Sequence, residues 1–124
     1  TGKKINYGSS DIYYSLEEVK KNIKRNNNKN FEKYIFIEGD ILETLNIKDN
    51  YPNKISFLRL DTDIYKTTKK QLEILYEKLV PGGILHIDDY GICPGVKTAV
   101  DNFFLNKNIW LHRVDLTCRY LIKK

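Results

Sequence analysis

Methionine is absent from all 124 residues, the first included, so Thr1 is not expected to be a natural translation start. Residues upstream of it are expected, and with them a longer parent to which the function belongs. Cysteine is scarce. Cys93 and Cys118 match no zinc spacing and are too few for a disulfide framework, so both are read as free thiols. No apolar run approaches the length of a membrane span, and Thr1-Gly2-Lys3-Lys4 lacks the apolar centre of a signal peptide. The expectation is a cytoplasmic chain without a membrane partner.

What is present is the composition of a folded domain. Hydrophobic residues make up 41% and charged residues 30%, which leaves no case for a disordered tail or a fibrous repeat. The length suits one α/β domain over residues 1–124 that can bury a real core. A net charge of +5 favours acidic partners in general. Its distribution argues against nucleic acid. The lysines cluster at Lys20-Lys21, Lys24-Arg25, Lys69-Lys70 and Lys123-Lys124 among Asn and Glu, without interleaved aromatics, as solvated faces do.

Lys3 to Tyr14 has no sustained period and reads as a loop. Ser15 and Glu18 form a capping-box signal, and Leu16, Val19 and Ile23 recur at helical spacing until the Asn run ends the helix. Tyr34-Ile35-Phe36-Ile37, closed by Gly39, predicts a buried strand, and Ile41 to Leu45 one helical turn. Ile55 to Leu60 predicts a second strand. After Thr67-Thr68, which can cap, Leu72, Leu75, Tyr76 and Leu79 mark an amphipathic helix stopped by Pro81-Gly82-Gly83. Ile84-Leu85-His86-Ile87 is a third strand, and the strand-helix-strand order requires parallel neighbours. Pro94 opens a helix whose apolar face is Val96, Ala99, Val100, Phe103 and Phe104. Leu111 to Asp115 and Arg119 to Lys123 suggest an antiparallel hairpin at a sheet edge.

Both central strands end in acid: Asp61-Thr62-Asp63 after one, Asp88-Asp89 after the other. In a parallel α/β sheet, ligands bind outside the carboxyl ends of the strands, so Asp61, Asp63, Asp88 and Asp89 are expected to meet there. Adjacent strands lie about 4.8 Å apart, and carboxylates at the two tips repel unless a cation lies between them. Oxygen donors alone select a hard cation, Mg²⁺ first, and three carboxylates leave positions open for substrate. The alternative is that these aspartates only cap turns, as single ones often do. Tyr65 and Tyr90, just beyond the tips, are candidates to shape an acceptor pocket. Arg59 is expected to face the core or a neighbouring helix and to pair with a carboxylate such as Asp61. His86 is read as a core histidine pointing away from the tip, and His112 with Arg113 as surface residues.

Leu58 to Tyr65, Leu75-Tyr76, Leu79, Pro81-Gly82-Gly83, Ile87 to Gly91, and Gly95 through Val100-Asp101 together resemble the macrocin O-methyltransferase family. Ser15 to Val19, Gly39 to Leu45, Val114 to Thr117 and Arg119-Tyr120 extend the resemblance over nearly the whole chain. It implies a Rossmann-like class I methyltransferase sheet, mostly parallel with a C-terminal antiparallel hairpin and lacking the N-terminal strands. It also implies S-adenosylmethionine and Mg²⁺ as cofactors and a sugar or natural-product hydroxyl as acceptor. Asp61, Asp88 and Asp89 would hold the metal, with Asp61 also the general base, while Asp63, Tyr65 and Tyr90 would contact the acceptor. Gly82-Gly83 precedes a strand rather than following one, so the cofactor-binding residues stay unassigned. By analogy, Tyr7 to Tyr14 would form a flap over the acceptor.

Two other readings remain open on the residues. Asp61 and Asp63 after an apolar strand are similar to the nucleophile and acid of haloacid-dehalogenase-type phosphatases. A metal- or partner-binding α/β module without chemistry is the third. Without its first strands the sheet would expose the edge of Ile55 to Leu60, and a homo-oligomer is expected.

Overall fold

The computed structural model describes residues 14–124, so the flap expected at Tyr7 to Tyr14 lies almost wholly outside the described residues. The chain divides into two compact units, Thr1–Glu38 and Gly39–Lys124. In the first, α1 (Leu16–Asn26) starts on the expected capping box: Glu18 N–H donates to Ser15 Oγ at 3.2 Å, and Ser15 N–H donates to the Glu18 carboxylate at 2.8 Å. A 3₁₀ turn, Asn28–Lys33, follows.

The strand expected at Tyr34 to Ile37 does not form. The segment has no strand partner among the described residues, and Ile35 is 87% exposed. Strand propensity describes fit to a pleated, half-buried surface; without a neighbour to supply that surface, these side chains pack locally. The rings of Phe31, Tyr34 and Phe36 lie 6.0–6.5 Å apart.

The second unit holds α2 (Ile41–Thr44), β1 (Ile55–Leu60), α3 (Tyr65–Leu75), β2 (Leu79–Ile87), α4 (Pro94–Phe104), β3 (His112–Arg113) and β4 (Arg119–Ile122). The sheet order is β1-β2-β4-β3, with β1 and β2 parallel and β4 antiparallel to both neighbours. The βαβ unit and the terminal hairpin are thus as expected. Alternation along the strands turns Leu58, Leu60, Leu85, Ile87 and Leu121 inward, where they meet Leu72, Leu75, Val96, Val100 and Phe104 of α3 and α4. The opposite sheet face carries Phe57, Arg59, Ile84, His86, Tyr120 and Ile122.

Three boundaries differ from the sequence reading. Thr67 and Thr68 do not cap α3; they are buried in its first turn, where Thr68 Oγ1 donates to the Ile64 carbonyl at 2.9 Å. Pro81-Gly82-Gly83 does not stop α3. The helix has already tightened into a 3₁₀ turn at Tyr76–Lys78, and Lys123 Nζ donates to the carbonyls of Tyr76 and Leu79 at 3.0 and 2.7 Å. Pro81 to Gly83 instead form a bulge inside β2, where the register jumps between Ile55↔Leu79 and Phe57↔Ile84. Gly82 takes φ +80°, a conformation costly to any side chain. The first hairpin strand is also shorter than expected, being only His112–Arg113.

The hairpin is brought against the end of β2 by Gly91, whose N–H donates to the Thr117 carbonyl at 2.8 Å. A Cβ there would lie 1.9 Å from the Leu116 carbonyl oxygen. Gly91→Ala is therefore expected to push the loop away and lower stability by about 1–3 kcal/mol in urea unfolding, an overpacking cost. Among the described residues β1 is the sheet's end strand, with its outer edge unpaired. For these 124 residues on their own that edge predicts self-association, and a monomer at all concentrations by light scattering would contradict it.

Candidate functional site

The carboxylates sit where the two parallel strands end together. Leu60 pairs with Ile87, and Asp88 N–H donates to the Leu60 carbonyl at 3.0 Å, so the chain leaves both strands at one level. Asp61, Asp63 and Asp89 each bring a carboxylate oxygen within 4.8 Å of the others. Asp63 reaches the cluster through a tight turn: its φ is +58°, and Ile64 N–H donates back to the Thr62 carbonyl at 2.7 Å. Aspartate tolerates that left-handed conformation better than most residues, and such strain collects at functional sites. Beneath the turn, Thr67 Oγ1 donates to Thr62 Oγ1 at 2.8 Å, and the Thr62 hydroxyl donates to Gln71 at 3.3 Å.

Asp88 takes a different direction. Its carboxylate accepts from Arg59 Nη2 at 3.1 Å, and the same nitrogen lies 2.8 Å from Asp61. Arg59 thus pairs with Asp61 as expected, but from the face opposite the helices, half-exposed, because residue 59 alternates with the inward Leu58 and Leu60. Asp61 and Asp89 belong to both the expected and the observed grouping; Asp63 stands close to them, and Asp88 bridges to Arg59.

The electrostatics of the tip are those of crowded anions. Burial, then repulsion from Asp88, holds the Asp61 carboxyl above the usual range despite Arg59. Burial, then the hydrogen bond and charge of Asp63, pushes Asp89 up to about 6. Oxygen donors alone, with more negative charge than Arg59 neutralises, fit a hard divalent cation held by Asp61 and Asp89 with Asp63 or Asp88.

Tyr90 donates to Asp101 at 2.6 Å, Lys97 also pairs with Asp101, and Lys97 and Arg119 lie over the Tyr90 ring. These contacts fix Tyr90 next to the acidic tip. Tyr65 instead lines a cleft of about 410 Å³ between α3 and α4, with Lys69, Glu73, Ala99, Asn102 and Phe103. A second cleft, of about 490 Å³, lies toward the opposite end of the sheet around Trp110, Lys107 and Lys123. His86 is not in the core: it is half-buried on the face opposite the helices, and its Nε2 lies 2.9 Å from Cys118 Sγ. Reading the sequence missed that pair and the Tyr90–Asp101 bond. Strand alternation puts His86 and Asp88 on one face, but only the β2–β4 register brings Cys118 to them.

The sequence matches the family described as Macrocin-O-methyltransferase (TylF) over residues 2–123. The chain belongs to the macrocin O-methyltransferase family. Among its relatives, demethyldecarbamoylnovobiocin O-methyltransferase of Streptomyces niveus is 36% identical over 95 residues, 77% of this chain and 35% of that protein. A second, 8-demethyl-8-(2,3-dimethoxy-alpha-L-rhamnosyl)-tetracenomycin-C 4'-O-methyltransferase of Streptomyces olivaceus, is 37% identical over 68 residues, 51% of this chain and 26% of that one. The solved O-methyltransferase NovP superposes with a TM-score of 0.69 at 28% identity, covering 89% of this chain and 45% of its own. CalS11, a calicheamicin methyltransferase, shares the fold at a TM-score of 0.70 and 22% identity, covering 86% of this chain and 46% of its own. The chain therefore spans about a third of the length of the first relative and about half that of the solved structures. Among the described residues, no helix is long and apolar enough to cross a membrane.

Because Asp89 holds its proton more tightly folded than unfolded, its contribution to stability is full at low pH and is lost as pH rises through about 6. Asp89→Asn removes that loss. From about pH 4 to about pH 7 the variant should gain on the parent by on the order of 1 kcal/mol, discounted for partial exposure, in urea unfolding followed across pH.

Proposed function

We propose that these residues form the metal- and acceptor-binding part of an S-adenosylmethionine- and Mg²⁺-dependent O-methyltransferase acting on a hydroxyl of a sugar or natural product. The observation that carries this reading is the carboxylate cluster at the joined tips of β1 and β2, in a chain of this family. The relatives whose names specify an acceptor act on small natural products, which supports the same class here. No nucleic-acid or membrane partner is invoked. Self-association through the β1 edge is part of the reading.

Asp61 and Asp89 are the ligands on which the resemblance and the observed cluster coincide; Asp88 is the third by resemblance and Asp63 the third by proximity. When bound, the metal acidifies and orients the acceptor hydroxyl, and the cofactor supplies the methyl group. Asp61 accepts the hydroxyl proton on a carboxylate oxygen. Arg59 keeps a counter-charge 2.8 Å from Asp61, which limits how far that carboxyl rises. Tyr90, held by Asp101, borders the acceptor side. The described residues single out no adenosine pocket, and no step is assigned to one. Family membership lends no support to the phosphatase reading of Asp61 and Asp63.

Calorimetric titration tests both cofactors. Mg²⁺ is expected to bind the chain, with Asp61→Asn and Asp89→Asn each weakening it at least about tenfold, and Asp63→Asn against Asp88→Asn identifying the third ligand. S-adenosylmethionine with Mg²⁺ present should bind saturably. Heat from Mg²⁺ but none from S-adenosylmethionine would leave these residues as a metal-binding module.

A further inference from the structure

On the sheet face opposite α3 and α4, three donors of different character converge. A ring nitrogen of His86, Cys118 Sγ and a carboxylate oxygen of Asp88 all lie within 4.8 Å of one another. His86 and Asp88 are two residues apart on one strand line and so share a face. Cys118 is delivered from the hairpin by two constraints. The Asp115 carboxylate accepts from the backbone N–H groups of Thr117 and Cys118 at 2.8 and 2.7 Å, and Gly91 lets the Leu116–Thr117 backbone approach β2.

The two ring nitrogens of His86 differ in their surroundings. Nε2 of His86 faces Cys118 Sγ at 2.9 Å, while Nδ1 is buried with no hydrogen-bond partner. A neutral imidazole has one donor and one acceptor, so with the proton on Nδ1 the Nε2 lone pair is directed to the Cys118 side and is free to ligate. Ion pairing accounts for only part of Asp88: Arg59 Nη2 bonds it at 3.1 Å but lies closer to Asp61, at 2.8 Å. An Asp88 carboxylate oxygen already lies within the cluster, and Arg59 has Asp61 as its nearer partner.

We propose that His86, Cys118 and Asp88 form a second metal site, selective for a borderline-soft divalent ion such as Zn²⁺. Sulfur, nitrogen and oxygen donors together favour Zn²⁺ over Mg²⁺, whereas the all-carboxylate tip favours the reverse. Three protein ligands leave the fourth tetrahedral position to water. Binding forms a metal–sulfur bond at Cys118 Sγ, and the thiol proton leaves to solvent. The site rests on the reading in which Asp63, not Asp88, completes the carboxylate cluster at the tip.

Cobalt(II) titration of the full chain tests it, because thiolate ligation produces a near-ultraviolet charge-transfer band. One equivalent of Co²⁺ should raise the band, Zn²⁺ should abolish it, and excess Mg²⁺ should leave it. Cys118→Ser should remove the band, His86→Gln should raise the Co²⁺ concentration needed to reach it, and each should weaken Zn²⁺ binding at least about tenfold, with folding checked by circular dichroism. Cys93→Ser should retain the band. If Cys118→Ser does not fold, His86→Gln decides alone. Absence of a band in the parent chain, a band lost in Cys93→Ser or kept in Cys118→Ser, or an unchanged Co²⁺ titration in His86→Gln overturns the proposal.

Discussion

The site depends on the register of two parallel strands. With Leu60 beside Ile87 and the Asp88 amide bonded to the Leu60 carbonyl, β1 and β2 release the chain at the same height. Slipping either strand by one residue would turn its inward leucines outward and carry its aspartates to the wrong side. The bulge at Pro81 to Gly83 takes up the mismatch lower in the sheet, so the upper four residue pairs remain in step. Burial of Leu58, Leu60, Leu85 and Ile87 against α3 and α4 therefore does two things at once: it holds the core, and it holds mutually repelling anions together. Packing energy from the core offsets electrostatic strain at the rim.

Much of this was legible in the sequence because the signals were local. The capping box at Ser15, the Pro94 helix start and the apolar-to-acid steps at Asp61 and Asp88 each sit within a few residues, and each was found where expected. Tyr34 to Ile37 shows where locality fails. Its composition favours a strand, but a strand exists only with a partner, and sequence composition names none. Pro81-Gly82-Gly83 fails for the complementary reason. A breaker motif can interrupt a helix or bulge a strand, and the choice was made by Lys123, far along the chain, closing the end of α3.

Side-chain direction was harder to read than element type. Alternation places Arg59 and His86 on the face opposite Leu58 and Leu85, whereas lying inside an apolar strand suggests a core position for His86, and a core or helix-facing one for Arg59. The separation of Asp63 from Asp88 required still more: a left-handed residue at position 63 and a guanidinium competing for position 88. Cys118 joins His86 only through the antiparallel pairing of β2 and β4, a contact between residues 32 positions apart.

The sheet order also governs when the fold can be completed. Among the described residues β4 lies between β2 and β3, so β3, which precedes it, has no neighbour until residues 119–122 are available. On a ribosome, β1, α3, β2 and α4 can assemble as they emerge, whereas His112 and Arg113 must wait for the final segment to enter beside β2. The side of β2 that β4 occupies is consequently an open template until residues 119–122 have been made.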